Sequence, residues 1–304
     1  MAVMRVGIDV GGGDSPEATQ LGALMAAARE DPVQVVAYGR RDALIKVSEA
    51  HDQSYGMFKV QIVESNTQAG AMMAITRDLL SGALNAWVTP TRSPKLLGAL
   101  GIAKMYNKGV TLALMAPLPS ENQAGGGGLS FLMDAGFTDE VHDPEIFVQW
   151  AEYGSRFLAK HYNINEPRIA LYNISVERGA GSLKKIHKRL QGVGGYIGYA
   201  EPKPVVAGEV DLWLAEGFVG NGVIKVLEGW FDLTAKRVMR RFSDGRQAIA
   251  HEIGQVFKSE LSYDAALISP VIGLKGDVAV CRVHGAATAE QVAASIAAVG
   301  RYLR

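Results

Sequence analysis

Five stretches place glycine or proline beside side chains that can hold an anion or polarise a carbonyl: residues 12–14, 89–95, 134–138, 175–181 and 217–221. In the second stretch Thr91, Arg92, Ser93 and Lys95 follow a compact apolar run. Arginine offers a planar fork for phosphate or carboxylate, and hydroxyls at a helix N-terminus complete an anion pocket. Asp14 follows Gly12 and Gly13, where it can receive N–H groups or a ligand. Asp134, Ser175, Glu177, Gly220 and Asn221 occupy comparable places in the other stretches. Glycine there lets the backbone approach a ligand, and the first N–H groups of a following helix attract negative charge. An ordinary strand-to-helix turn with incidental charge accounts for any one stretch equally well.

Other chemistries find less support. The histidines at 51, 142, 161, 187, 251 and 284 show neither H-E-x-x-H nor paired metal spacing, so no metal is expected. Cys281 and His284 are three apart on a strand running into a turn, which points their side chains to opposite faces. A buried thiol is expected at Cys281. His284 is placed either to act chemically or to stabilise its turn. Residues 11–14 do not satisfy G-x-G-x-x-G, and neither a Walker A loop nor a G-x-S-x-G elbow occurs.

These groups need elements to carry them. Apolar, β-branched runs predict strands over 6–10, 33–38, 59–64, 84–88, 110–115, 129–134, 168–174, 210–214 and 277–283. Helical spacing predicts helices over 18–29, 69–80, 96–103, 144–161, 182–189, 248–261 and 288–302, with one more after a glycine turn at 217–222. Ser15 before Pro16 reads as an N-cap with proline at the first helical position. The glycine run at 123–128 reads as a flap or a hairpin loop. Strands alternating with helices imply an α/β fold with a doubly wound, mostly parallel sheet, whose ligand crevice lies at the carboxyl ends of the strands.

At 304 residues and 48% hydrophobic, one large domain over 1–304 is expected, with a cleft between two lobes and no linker. Lys plus Arg and Asp plus Glu number 31 each, so no global field draws nucleic acid or a membrane. One cysteine and no apolar run of about 18 residues fit a reducing, cytoplasmic setting. Lys184, Lys185, Lys188 and Arg189 either dock an acidic carrier or form a solvated helix face.

The order of motifs resembles the PlsX family of acyl-carrier-protein:phosphate acyltransferases. Ile8-Asp9, Gly12-Gly13-Asp14 and Pro16-Glu17 match its opening, and Ala116-Pro117-Leu118-Pro119, Asp134 with Gly136, Gly154-Ser155, Asn165-Glu166-Pro167-Arg168 and Asn173-Ile174 follow in order. Glu216-Gly217-Phe218-Val219-Gly220-Asn221 with Lys225 is similar to its D-G-F-T-G-N segment, and Gly273-Leu274-Lys275-Gly276 and His284-Gly285 fit its end. The resemblance implies a fold like that of isocitrate and isopropylmalate dehydrogenases, a homodimer, no metal and no cofactor. It implies acyl transfer between a thioester, of acyl carrier protein or CoA, and inorganic phosphate through an acyl phosphate. Arg92, Ser93 and the glycine turns would hold phosphate, with Lys225 or His284 polarising the reacting groups.

Departures stand beside it. Thr89-Pro90-Thr91-Arg92-Ser93-Pro94-Lys95 replaces S-A-G-N-T-G-A, Val219 replaces a threonine, Glu216 an aspartate and Ala180 a lysine. Residues 237–262 are less apolar than the family's membrane-associating helices. A short acyl group is then expected, with membrane association doubtful. Alternatives are the acetyl-phosphate-forming component C subunit of glycine, betaine or sarcosine reductases, a silent binding or scaffold subunit, and a dehydrogenase on the related fold.

Overall fold

The computed structural model describes residues 3–29, 33–105, 111–122, 128–139, 141–173, 181–241, 269–274 and 279–302. They fall into two compact units, Met1–Leu112 with Ala265–Arg304, and Ala113–Asp264.

The first unit alternates β1 (Met4–Asp9), α1 (Pro16–Ala28), β2 (Val33–Gly39), α2 (Arg41–Ala50), α3 (Ser54–Lys59), β3 (Gln61–Glu64), α4 (Gln68–Leu80), β4 (Ala86–Thr89) and α5 (Ser93–Ile102). The C-terminal segment adds β10 (Ser269–Ile272), β11 (Ala279–Arg282) and α10 (Ala289–Tyr302). The strands run in the order β3-β2-β1-β4-β11-β10. Every pair is parallel except β10 with β11. Alternate residues face opposite sides: Val6, Ile8, Val35 and Val88 join Leu24 of α1 and Ile296 of α10 in one buried cluster. Val36, Tyr38 and Trp87 are buried on the other face, where the Tyr38 hydroxyl donates to Asp78 of α4 at 2.7 Å. A sheet apolar on both faces needs helices on both. The Ser15 hydroxyl caps α1 by accepting from the Ala18 N–H, with Pro16 first in the helix.

The second unit holds β5 (Ala113–Pro119), β6 (Leu129–Met133), α6 (Pro144–Tyr162), β7 (Ile169–Tyr172), α7 (Ser182–Leu190), β8 (Tyr196–Ala200), α8 (Pro202–Val206), β9 (Leu212–Leu214) and α9 (Gly217–Arg241). Its strand order is β5-β6-β9-β7-β8, with β5 and β6 antiparallel and the rest parallel. The glycine run expected as a flap or a hairpin loop lies, over 123–127, outside the described residues.

Several expectations change. Lys59 closes helix α3, so the third strand starts only at Gln61. β5 runs on through Pro117 and Pro119, which pair with Phe131 and Leu129 of β6. Helices α2, α3 and α8 and strands β8 and β10 are additions. The helix expected over 248–261 and residues 275–278 lie outside the described residues. Among the described residues no helix is long and apolar enough to cross a membrane.

Candidate functional site

In the first unit β1 and β4 are parallel neighbours, so Asp9 and Thr89 end side by side at the carboxyl edge. The chain after Asp9 turns tightly, with the Gly12 N–H donating to the Asp9 carbonyl at 3.1 Å. A Cβ on Gly12 would stand 2.4 Å from Asp9 Oδ2 and 2.8 Å from Thr91 Oγ1. Glycine is needed because a carboxylate and a hydroxyl already fill that space. Asp9 is fully buried and accepts from Trp87 Nε1 at 2.9 Å and Thr91 Oγ1 at 2.6 Å. Burial pushes its carboxyl above the ordinary value, against the pull of its hydrogen bonds to Thr91, Thr89 and Trp87.

Thr91 Oγ1 in turn accepts from Gln68 Nε2 at 2.9 Å, and Gln68 Oε1 accepts from Lys95 Nζ at 3.1 Å. Gln68, Lys95, Gly13, Asp14, Thr91 and Arg92 line an open cavity of about 490 Å³. Arg92 Nη2 donates to Asp14 Oδ1 at 3.3 Å. Ser93 begins α5, whose N-terminus has no side-chain cap among the described residues. The Asp14 N–H donates to the Gly285 carbonyl at 2.7 Å, which ties the cavity's rim to the His284 turn. His284 Nδ1 accepts from the Ala286 N–H at 3.3 Å, leaving Nε2 to carry the proton of the neutral ring. The first unit therefore gathers Gly12, Gly13, Asp14, Thr91, Arg92 and Ser93, with the His284 turn at the rim. Gln68 escaped sequence reasoning because it enters from α4, with no local signal to mark it.

In the second unit Asp134 is fully buried. Its oxygens accept from the N–H groups of Leu114, Gly136, Phe137 and Thr138 and from Thr138 Oγ1, at 2.7–3.2 Å. Burial raises its carboxyl and these donors oppose the rise. The donors make Asp134 the knot of its own loop.

The expected glycine turn at 217–222 is instead the start of α9. The Gly217 N–H donates to Thr138 Oγ1 at 3.3 Å and the Phe218 N–H to the Asp139 carbonyl at 3.5 Å, so two first-turn donors are taken by protein. A Cβ on Gly220 would stand 1.8 Å from the Asp134 carbonyl oxygen, which shows why glycine sits inside a helix here. Gly220→Ala must push helix and loop apart, and a loss of about 2 kcal/mol is expected in urea unfolding; an unchanged midpoint would refute this packing. Asn221 lies beside Gly136, and Lys225 Nζ donates to Glu228 Oε2 at 2.7 Å. Ser175 and Glu177 lie outside the described residues.

The profile described as "Fatty acid synthesis protein" matches residues 4–304. A phosphate acyltransferase of Caldanaerobacter subterraneus subsp. tengcongensis is 26% identical over 273 residues, covering 85% of this chain and 75% of the relative. One from Brevibacillus brevis is 25% identical over 326 residues, covering 99% and 94%. The crystal structure of a branched-chain phosphotransacylase from Enterococcus faecalis V583 aligns over 99% of both chains with TM-score 0.61 and 15% identity, a likeness of fold.

Proposed function

The chain belongs to the fatty acid synthesis protein family, and from that premise we propose that it is a phosphate acyltransferase, moving an acyl group between a thioester and inorganic phosphate. The observation that carries the reading is the cavity where Arg92 and Lys95 meet the uncapped start of α5. Two cations and a helix N-terminus on one side suit a phosphate dianion.

Phosphate held there presents an oxygen to the thioester carbonyl carbon. The C–O bond forms, the tetrahedral oxyanion collapses, the C–S bond breaks and the thiolate leaves, taking the proton that the hydrogen phosphate gives up. Acyl phosphate and free thiol are the products. Fixing phosphate beforehand turns a bimolecular encounter into a nearly unimolecular step. To grip it with its full fork, Arg92 releases Asp14. Thr91 plays a smaller part than its place suggests, since its hydroxyl proton already goes to Asp9. Lys225 and His284 are the candidates for polarising the thioester carbonyl.

The carrier is an acyl carrier protein or CoA, the acyl group is short, and the setting is the cytoplasm. The names of the relatives favour neither a silent scaffold nor a reductase subunit. A homodimer is supported by the outer face of α9, where Phe218, Val226 and Trp230 stand exposed; Trp230→Glu is expected to halve the mass seen by light scattering. The deciding assay follows thiol release from butyryl-CoA and butyryl carrier protein with and without inorganic phosphate, trapping the product with hydroxylamine. Phosphate-dependent release with hydroxamate formation is expected. Its absence with every thioester would remove the reading.

A further inference from the structure

We propose that Asp9 is a positioning residue that, from inside the sheet, fixes the direction of the hydrogen bonds through Thr91 and Gln68 and so holds the Lys95 ammonium at the phosphate cavity. The inference rests on reading that cavity as the phosphate site.

Each link follows from what the previous group can do. Both oxygens of Asp9 accept in this arrangement, and the indole N–H of Trp87 only donates, so Oδ1 of Asp9 is committed to Trp87. The single hydroxyl proton of Thr91 goes to Oδ2 at 2.6 Å. The Thr91 oxygen can then only accept toward α4, so Gln68 must offer its Nε2, as it does at 2.9 Å. That choice fixes the amide orientation, ordinarily ambiguous for a glutamine. The Gln68 carbonyl is thereby turned outward, where it accepts from Lys95 at 3.1 Å. A buried acceptor is thus converted, two side chains away, into an acceptor at the cavity wall.

Reversing the root reverses the chain. Asn at position 9 must give its carbonyl to Trp87, because the indole cannot accept, and so turns its amide N–H toward Thr91. The Thr91 oxygen then accepts from below and its proton points at Gln68. Gln68 flips to receive it and presents Nε2 to Lys95, donor against donor. Lys95 loses its tether while sheet and cavity stay in place.

The test is a double-mutant cycle on the full chain, with the dissociation constant of inorganic phosphate read by titration calorimetry. Asp9→Asn and Lys95→Ala are each expected to weaken phosphate by about fivefold, the size of one exposed charge contact. The double variant should be no weaker than Lys95→Ala alone. Additive losses, or Asp9→Asn binding phosphate like the parent, would overturn the proposal. If Asp9→Asn does not fold, Thr91→Val cuts the chain at nearly constant shape and Thr91→Ser restores the hydroxyl. The valine variant must then show the fivefold loss and the serine variant the parent's affinity; equal binding by both overturns the relay. Phosphate binding without any acyl transfer would remove the acyltransferase reading and leave the relay standing. A parent chain that binds no phosphate removes the relay as well.

Discussion

Asp211→Ala is expected to cost the protein about 3 kcal/mol of stability, read as a lower urea midpoint. Asp211 is only 3% exposed in its side chain and accepts from Arg168 Nη2 at 2.8 Å, Arg168 Nε at 2.9 Å, the Arg168 N–H at 2.7 Å and Asn122 Nδ2 at 2.7 Å. Removing the carboxylate strands these donors where β7 and β9 begin. The loss sits at the low end for a broken buried pair because the Arg168 side chain, 40% exposed, can turn to water. A shift below about 1 kcal/mol would place the network among ordinary surface pairs.

The same pair sets a pH signature. Burial alone would raise the Asp211 carboxyl, but its bonds from Arg168 and Asn122 win and hold it below the ordinary value. A depressed folded pKa gives stability that is complete above the unfolded value, about 3.9, and is lost as pH falls through the folded one. The gap between parent and Asp211→Ala should therefore be level from pH 7 to about 5 and shrink below about 4. Asp9 and Asp134 are shifted the other way and contribute less as pH rises. Both persist in the variant, so they cancel in the difference.

Arg92→Ala should raise the phosphate concentration for half-maximal rate about thirtyfold, from one lost bidentate, charge-assisted contact worth ~2 kcal/mol. Arg92→Lys keeps the charge without the fork and should recover only part. Asp14→Asn should move the other way by a factor of about two, since it frees the Arg92 guanidinium from its 3.3 Å partner. Steady-state kinetics with phosphate as the varied substrate distinguishes the three. An Arg92→Ala enzyme with the parent's phosphate dependence would move the anion elsewhere.

Periodicity and turn chemistry were enough for much of the fold. Ser15-Pro16 opened α1 as a cap and a proline should, and the alternation of strands and helices foretold the doubly wound sheet. Lys59 misled because the apolar residues before it, Met57 and Phe58, belong to the short helix α3. β8 went unseen because Tyr196–Ala200 carries a glycine and mostly half-buried residues at the sheet's edge, without clear alternation. At the candidate site, local spacing singled out Thr91, Arg92 and Ser93, which one strand end carries. It could not find Gln68, brought in by α4, nor foresee that Thr138 and Asp139 would occupy the first N–H groups of α9. Those depend on which loops meet, a property of the whole chain.

The lone thiol has a practical consequence. Cys281 lies in β11 within the first unit's buried cluster, 1% exposed, with its ionisation pushed upward by burial. Buried there, the thiol meets a maleimide dye only when that core opens, so the rate at which the dye attaches to the untouched protein times the opening of the first unit. The protein carries its own stopwatch, and a second cysteine placed on the surface could be labelled first without removing it.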